Sequence, residues 1–285
     1  MALGNHSTIT EFILLGLSAD PHVQALSFVI FLAIYLLTVL GNLTMMLVVR
    51  TDSHLHTPMC FLSHLSFLDF CFSSATVPKM LEILLSQKKT VSVEACLAQV
   101  FFVFDLGGTE ACLLSVMAYA AICHPLLGFL DAFINILLAM DFDFCRDQFI
   151  PHYSCELPSL FPLSCCDVST SFTILLCSSL LHGLGTCFLI ILSYTLIVST
   201  ILSISSSSYR SKAFSTCSSH LTAVLLFYCS VFLHYIVPTL GSPQELIFSV
   251  QYSVITPLMN PLIYSLKNNE VKAAMKRTFR KYLHC

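Results

Sequence analysis

Apolar runs of membrane-crossing length dominate the chain, and polar residues sit at few, spaced positions inside them. A spanning helix needs about 20 consecutive apolar residues. Val23 to Val49 holds 27 residues without a charge and is closed by Arg50. Further runs cover Pro58 to Leu85, with His64 and Asp69 inside, and Ala95 to Cys123, with Asp105 and Glu110 inside. Others run from Ser169 to Ile204, Thr216 to Leu240 and Leu246 to Leu266. Between Pro125 and Asp141 only fifteen residues remain, Leu126 to Met140. As a helix they reach about 22 Å, short of a hydrocarbon core of about 30 Å. They also carry Asp131 and Asn135, both expensive in lipid. This segment spans only if the bilayer thins or the preceding turn is drawn inward, and a sharp turn is expected around Pro125 to Gly128. The pattern predicts an all-α membrane protein: a seven-helix bundle with a shortened fourth helix.

Lysine and arginine set the orientation. With the N-terminus outside, nine basic residues lie inside (Arg50, Arg210, Lys212, Lys267, Lys272, Lys276, Arg277, Arg280 and Lys281) and four outside (Lys79, Lys88, Lys89 and Arg146). The expected organisation is one seven-helix domain over 1–285. Residues 1–22 and the loop 141–169 are extracellular in it, and the tail 267–285 is cytoplasmic. Val271, Ala274, Met275, Phe279 and Leu283 follow helical spacing among basic residues, which predicts an amphipathic helix lying on anionic lipid. The serines at 205–208 read as a flexible polar loop. The Ser and Thr residues of Lys212 to Leu221 suit a helix start.

Composition agrees with the pattern. The chain is 56% hydrophobic and 10% charged, with a mean hydropathy of +0.83, whereas soluble domains carry about a quarter charged residues. A net charge of −3 without a basic stripe argues against a nucleic-acid partner. No nucleophile, base and orienting group line up on one face, which argues against an enzyme. A channel or transporter would need rings of charge or inverted repeats that the chain does not show. Residues 1–22 lack Lys and Arg, so no cleavable signal is expected there, and Asn5-His6-Ser7 is a glycosylation acceptor. Asn42, Asp69, Glu110 and Asn260 are polar groups at mid-membrane depth on four segments; converging in a bundle, they can hydrogen-bond one another or hold a cation.

Several motifs carry a family resemblance: Gly41-Asn42, Leu55-His56-Thr57-Pro58-Met59, Leu65-Ser66-Phe67-Leu68-Asp69, Met117-Ala118-Tyr119 with Ala121-Ile122-Cys123-His124-Pro125-Leu126, Ser193-Tyr194, Lys212-Ala213-Phe214-Ser215-Thr216-Cys217, and Pro257-Leu258-Met259-Asn260-Pro261-Leu262-Ile263-Tyr264. In this order along nearly the whole chain, they resemble the olfactory receptors of the rhodopsin-like class. The resemblance implies a plasma-membrane odorant receptor coupled to a stimulatory G protein. It implies a sodium-associated network of Asn42, Asp69, Glu110 and Asn260, with no other cofactor. It also implies an activation motif of Asn260, Pro261 and Tyr264, with Tyr264 turning toward Tyr194 in the active state, and a G-protein-facing surface that includes Lys212 to Leu221. Disulfides Cys96–Cys155 and Cys145–Cys165 follow from the family pattern, leaving Cys166 over. His152-Tyr153-Ser154-Cys155-Glu156 offers two or three metal ligands rather than a closed site, and no metal is expected there. The ligand pocket would lie in the outer half, lined by Val103, Phe104, Gly107, Gly108 and Ala111 on the third segment, where the glycines leave room beside Phe104. Facing them would be Ser178 and His182 on the fifth segment and Tyr228, Val231 and Tyr235 on the sixth. No charge in this set calls for an ionic ligand, so small, mostly apolar volatiles are expected.

One departure bears on function. The family has Asp-Arg-Tyr after Met-Ala-Tyr, but here Tyr119 passes straight to Ala120, and no Arg or Lys stands between Lys89 and Arg146. The second inner loop and the inner half of the fourth segment are missing as well. The alternative reading is therefore a receptor-like membrane protein that folds without signalling.

Overall fold

A computed structural model describes residues 9–52, 55, 59–86, 88–116, 123–145, 148–236 and 243–283. Its helices are α1 (Pro21–Thr51), α2 (Cys60–Leu85), α3 (Val93–Val116), α4 (Cys123–Met140), the single turn α5 (Leu157–Leu160), α6 (Ser169–Ser203), α7 (Ser207–Ile236), α8 (Pro243–Val250), α9 (Thr256–Lys267) and α10 (Asn269–Leu283). A π-helical stretch, Gln251–Ile255, joins α8 to α9 as one rod. Among the described residues, five rods are long and apolar enough to cross a bilayer by length and composition; α3 and α4 complete a bundle of seven. The outer faces of α1 and α6 expose Leu26, Val29, Leu40, Leu181, Leu184, Phe188 and Ile191, whereas Leu62, Phe72, Val77 and Met80 of α2 are buried. A chain with this pattern puts its apolar residues both in the core and toward lipid, so hydrophobicity alone cannot tell the two faces apart.

The fourth helix differs from its expected form. It starts at Cys123 and runs 18 residues without a turn at Pro125 to Gly128, a length of about 27 Å. Cys123, expected in the third segment, therefore belongs to α4. Pro125 is its third residue, within the first turn, where a missing N–H breaks no helical bond. Gly128 serves a different purpose from the expected turn. A Cβ on Gly108 would stand 3.6 Å from its Cα, so α3 and α4 cross there backbone to backbone, as small residues allow in membranes. The Asp131 carboxylate and the Asn135 amide N–H groups are also provided for, while the Asn135 side-chain oxygen has no partner among the described residues. Asn135 donates to the Asp131 carbonyl and carboxylate at 2.9 and 3.0 Å, and the other Asp131 oxygen lies 3.3 Å from His182 Nδ1 on α6. The Met117–Ile122 stretch, with Tyr119 and Ala120, lies outside the described residues.

Two other expectations change. α7 begins at Ser207, so half of the 205–208 loop is helical and Lys212 to Leu221 lies inside a helix rather than at its start. The fold is also not purely α. Glu11–Leu14 (β1) pairs antiparallel with Thr90–Ser92 (β2) and parallel with Phe149–Ile150 (β3). Phe12 and Leu14 point inward, fully buried, against Phe144, Ile150 and Leu160. This small sheet ties the N-terminal segment and the 141–169 loop into one cap over the bundle. Asn5 lies outside the described residues.

α10 packs Val271, Ala274 and Thr278 inward and leaves Phe279 and the basic residues exposed. One residue, Asn268, separates it from α9; its side chain accepts from the backbone N–H groups of Glu270 and Val271 at 3.0 and 3.2 Å, capping the new helix.

Candidate functional site

The bundle centre is polar. Asn260 on α9 donates to both Asp69 oxygens, at 3.0 and 3.1 Å, and to Glu110 at 3.3 Å. All three side chains are buried. One amide thus joins α2, α3 and α9. Asn42 approaches the same rod differently: its amide donates to the Pro257 carbonyl at 3.1 Å and to Thr38 at 3.0 Å. Pro257 cannot donate to a carbonyl one turn back, and its ring crowds that turn; the preceding stretch is wound wide, as a π-helix. Close approach of α1 to this region needs Gly41, whose Cβ would already stand 3.3 Å from Pro261.

The π-helical turn carries Tyr252, which packs edge-on against Phe72 and Phe227 at 5.0 and 5.9 Å. Its hydroxyl occupies the space that a Cβ on Gly107 would fill. Gly107 is thus filled by Tyr252 and Gly108 by α4, so neither glycine leaves open room beside Phe104. Gly107→Ala is expected to force Tyr252 aside and cost about 1–3 kcal/mol, the usual range for overpacking. The thermal midpoint of purified protein should fall, and Tyr252→Phe in the same chain should restore part of it.

Above this lies a latch that the sequence did not reveal. Gln99 on α3 accepts from the Cys155 N–H at 2.8 Å and donates to Ala75 on α2 at 3.0 Å. The Cys96–Cys155 disulfide, with a Cα separation of 5.3 Å, fixes the same point, and Cys145–Cys165 closes the loop above it at 5.8 Å. Tyr153 reaches down from the loop. Its hydroxyl meets Ser249 at 2.8 Å and Ser253 at 2.7 Å on the α8–π rod, and Ser249 donates to Glu156 at 2.8 Å. Burial, then the Glu156 carboxylate, hold the Tyr153 phenol well above its ordinary pKa. His152 lies 3.6 Å from Glu156 and accepts from the Ser154 N–H at 3.1 Å, so this motif serves loop structure. No cluster of three metal-binding side chains occurs among the described residues.

The other sequence candidates are scattered. Phe104 packs against the cap, while Ala111, Tyr228 and Val231 pack near the cluster at the other end of the bundle, with Tyr228 donating to the Ala111 carbonyl at 3.3 Å. Val103 is half-buried on α3. Ser178 donates to its own helix, and His182 faces Asp131 rather than the third segment. Tyr235 lies on α7, but its side chain is outside those described. Toward the end away from the cap, Tyr194 bonds His220 at 2.6 Å, joining α6 to α7. Tyr264 is buried against Phe61, and its hydroxyl has no hydrogen-bond partner among the described residues.

Squid rhodopsin superposes with a TM-score of 0.68 over 94% of this chain and 88% of the rhodopsin chain, at 16% identity; the likeness is one of fold. A family model described as olfactory receptor matches residues 31–130 and 127–282. The chain belongs to the olfactory receptor family. Olfactory receptor 8S1 of Homo sapiens is 63% identical to this olfactory receptor chain over 308 aligned positions, covering all of this chain and 85% of the relative. Olfactory receptor 5F1 of Homo sapiens is 42% identical, covering 96% of each. The family match breaks into two pieces that meet at 127–130, and the alignment with 8S1 is longer than the 285-residue receptor. The break in the family match agrees with residues missing between the third and fourth segments; the longer alignment shows only that gaps open somewhere along the chain.

Proposed function

We propose that this receptor binds small, neutral, mostly apolar odorants in the outer half of the bundle and transmits their binding to a stimulatory heterotrimeric G protein at the inner face. The observation that carries this reading is the buried junction of Asn260 with Asp69 and Glu110. It ties the α8–α9 rod to α2 and α3, so a ligand that shifts the rod must alter polar contacts at the centre. Tyr252 and the latch residues Ser249 and Ser253 stand on the same rod, between the outer half and that junction. Orientation follows from the basic residues: the protein sits in the plasma membrane with its N-terminus outside.

The junction also suits a sodium ion. Its donors are all oxygen, which hard cations prefer, and the Asn260 side-chain oxygen is buried with no partner among the described residues. Bound there, sodium would supply positive charge to two buried carboxylates. Sodium chloride should then raise the thermal midpoint above that in choline chloride, and Asp69→Asn should abolish the difference.

A second reading is favoured by one observation: the Asp-Arg-Tyr triplet is absent after Tyr119. The same fold then binds ligand without activating a G protein. Cyclic AMP measured in transfected cells across a broad odorant panel separates the readings. A response from surface-expressed protein supports coupling. Silence that is relieved by restoring the triplet and the lost loop supports the non-signalling form.

A further inference from the structure

Lys276, Arg277, Arg280 and Lys281 surround a cleft of about 350 Å³ on α10. The four follow i, i+1, i+4 and i+5 spacing, so successive turns stack them along one side of the helix. The adjoining side is fixed to the bundle through Val271, Ala274 and Thr278. One wall is held in place: the Arg277 Nε and Nη2 atoms both meet an Asp52 carboxylate oxygen at 2.7 Å, just beyond α1. That contact offsets one of the four charges. Lys276, Arg280 and Lys281 are exposed and meet no carboxylate among the described residues.

We propose that this cleft binds the phosphorylated headgroup of a lipid in the leaflet on which α10 lies, and prefers a polyphosphorylated headgroup to a singly charged one. Guanidinium forks match phosphate oxygens, and lysine ammonium groups add point charge. The membrane is the favoured source because Asn268 alone separates α10 from the last spanning rod, holding the cleft at the bilayer boundary. Phe279, 48% exposed, stands one turn from Lys276 and offers an apolar flank to the acyl boundary. Basic clusters placed just after a spanning helix attract anionic headgroups in this way. The proposal rests on α9 crossing the bilayer, not on which side of the cell α10 faces.

The test uses full-length protein in phosphatidylcholine nanodiscs containing fluorescent phosphatidylinositol bisphosphate or, at matched total charge, fluorescent phosphatidylserine. Energy transfer to labelled protein reports lipid enrichment. Nanodiscs open both faces, so a wrong orientation in cells leaves this measurement unchanged. Enrichment of the bisphosphate lipid is expected. Each of Lys276→Gln, Arg280→Gln and Lys281→Gln should weaken it about fivefold, and the triple variant on the order of 100-fold. Lys272→Gln removes a charge from the same helix outside the cleft lining and should cost less than any of the cleft variants. Lys276→Arg should retain binding. The singles keep the test intact if the triple variant fails to fold. Equal enrichment of the two lipids, a Lys272→Gln loss as large as that of a cleft variant, or tighter binding of soluble inositol trisphosphate than of the lipid would each overturn the proposal.

Discussion

Removing the Cys96–Cys155 disulfide by Cys96→Ser with Cys155→Ser is expected to destabilise the folded protein by about 2–5 kcal/mol. The bond closes a loop across 59 residues, and the unlinked unfolded chain would gain the conformational freedom that closure removes. Native contacts would suffer too. Cys155 N–H donates to Gln99, and the neighbouring Tyr153 is held by Ser249 and Ser253 on the far side of the bundle. The cap core of Phe12, Ile150 and Leu160 rests on the same loop. The double serine variant should therefore lower the detergent-solubilised thermal midpoint and sharply reduce surface expression. Breaking Cys145–Cys165 should have a smaller effect: it closes only 20 residues, and the loop stays anchored through Cys155. A double serine variant at Cys96 and Cys155 with wild-type midpoint would show that the sheet and the Tyr153 latch hold the cap without the covalent link.

Long apolar runs made the bundle legible in the sequence, because lipid demands a continuous stretch whatever the partners are. Asn260 was legible for a related reason. A polar group at mid-depth needs a partner, and only polar residues on other spans could supply one. Asp69 and Glu110 are those partners, while Asn42 went to the Pro257 backbone carbonyl, which Pro261 one turn on has no N–H to meet. A side-chain pattern cannot forecast that contact, because the acceptor belongs to the main chain.

The pocket candidates and the cap were less legible, for different physical reasons. Helical spacing placed Gly107 and Gly108 toward a cavity, but glycine is equally a site of close approach, and both are approached, one by Tyr252 and one by Gly128. His182 was grouped with the pocket as a fifth-segment residue expected to face the third. Its partner, Asp131, lies 51 residues earlier on a segment that seemed too short to span. The β1 strand does alternate, with Phe12 and Leu14 inward. Four residues before a long apolar run carry that signal weakly, and both strands that pair with it come from later in the chain.

Asn260→Leu is expected to be at least as damaging as loss of the Cys96–Cys155 bond. Leucine matches asparagine roughly in size but donates nothing. Asp69 would lose two hydrogen bonds and Glu110 one, leaving both buried carboxyl groups facing an apolar side chain. Leaving a buried acceptor unsatisfied typically costs about 1–3 kcal/mol, more where the group is charged, and two carboxyl groups lose their donor here. Asp69→Asn tests the cause. It removes the carboxylate but keeps an oxygen that can accept from Asn260, so it should lose only about 1–2 kcal/mol, near the value of one or two hydrogen bonds. If burial of carboxyl groups drives the effect, Asp69→Leu with Asn260→Leu should recover part of the loss of Asn260→Leu alone, since that pair leaves a single carboxyl group unsatisfied. Thermal unfolding of the purified variants, in sodium and in choline salts, measures all three. A double variant less stable than Asn260→Leu would mean that Asp69 has other contacts worth more than its amide partner, and the central junction would have to be rebuilt around them.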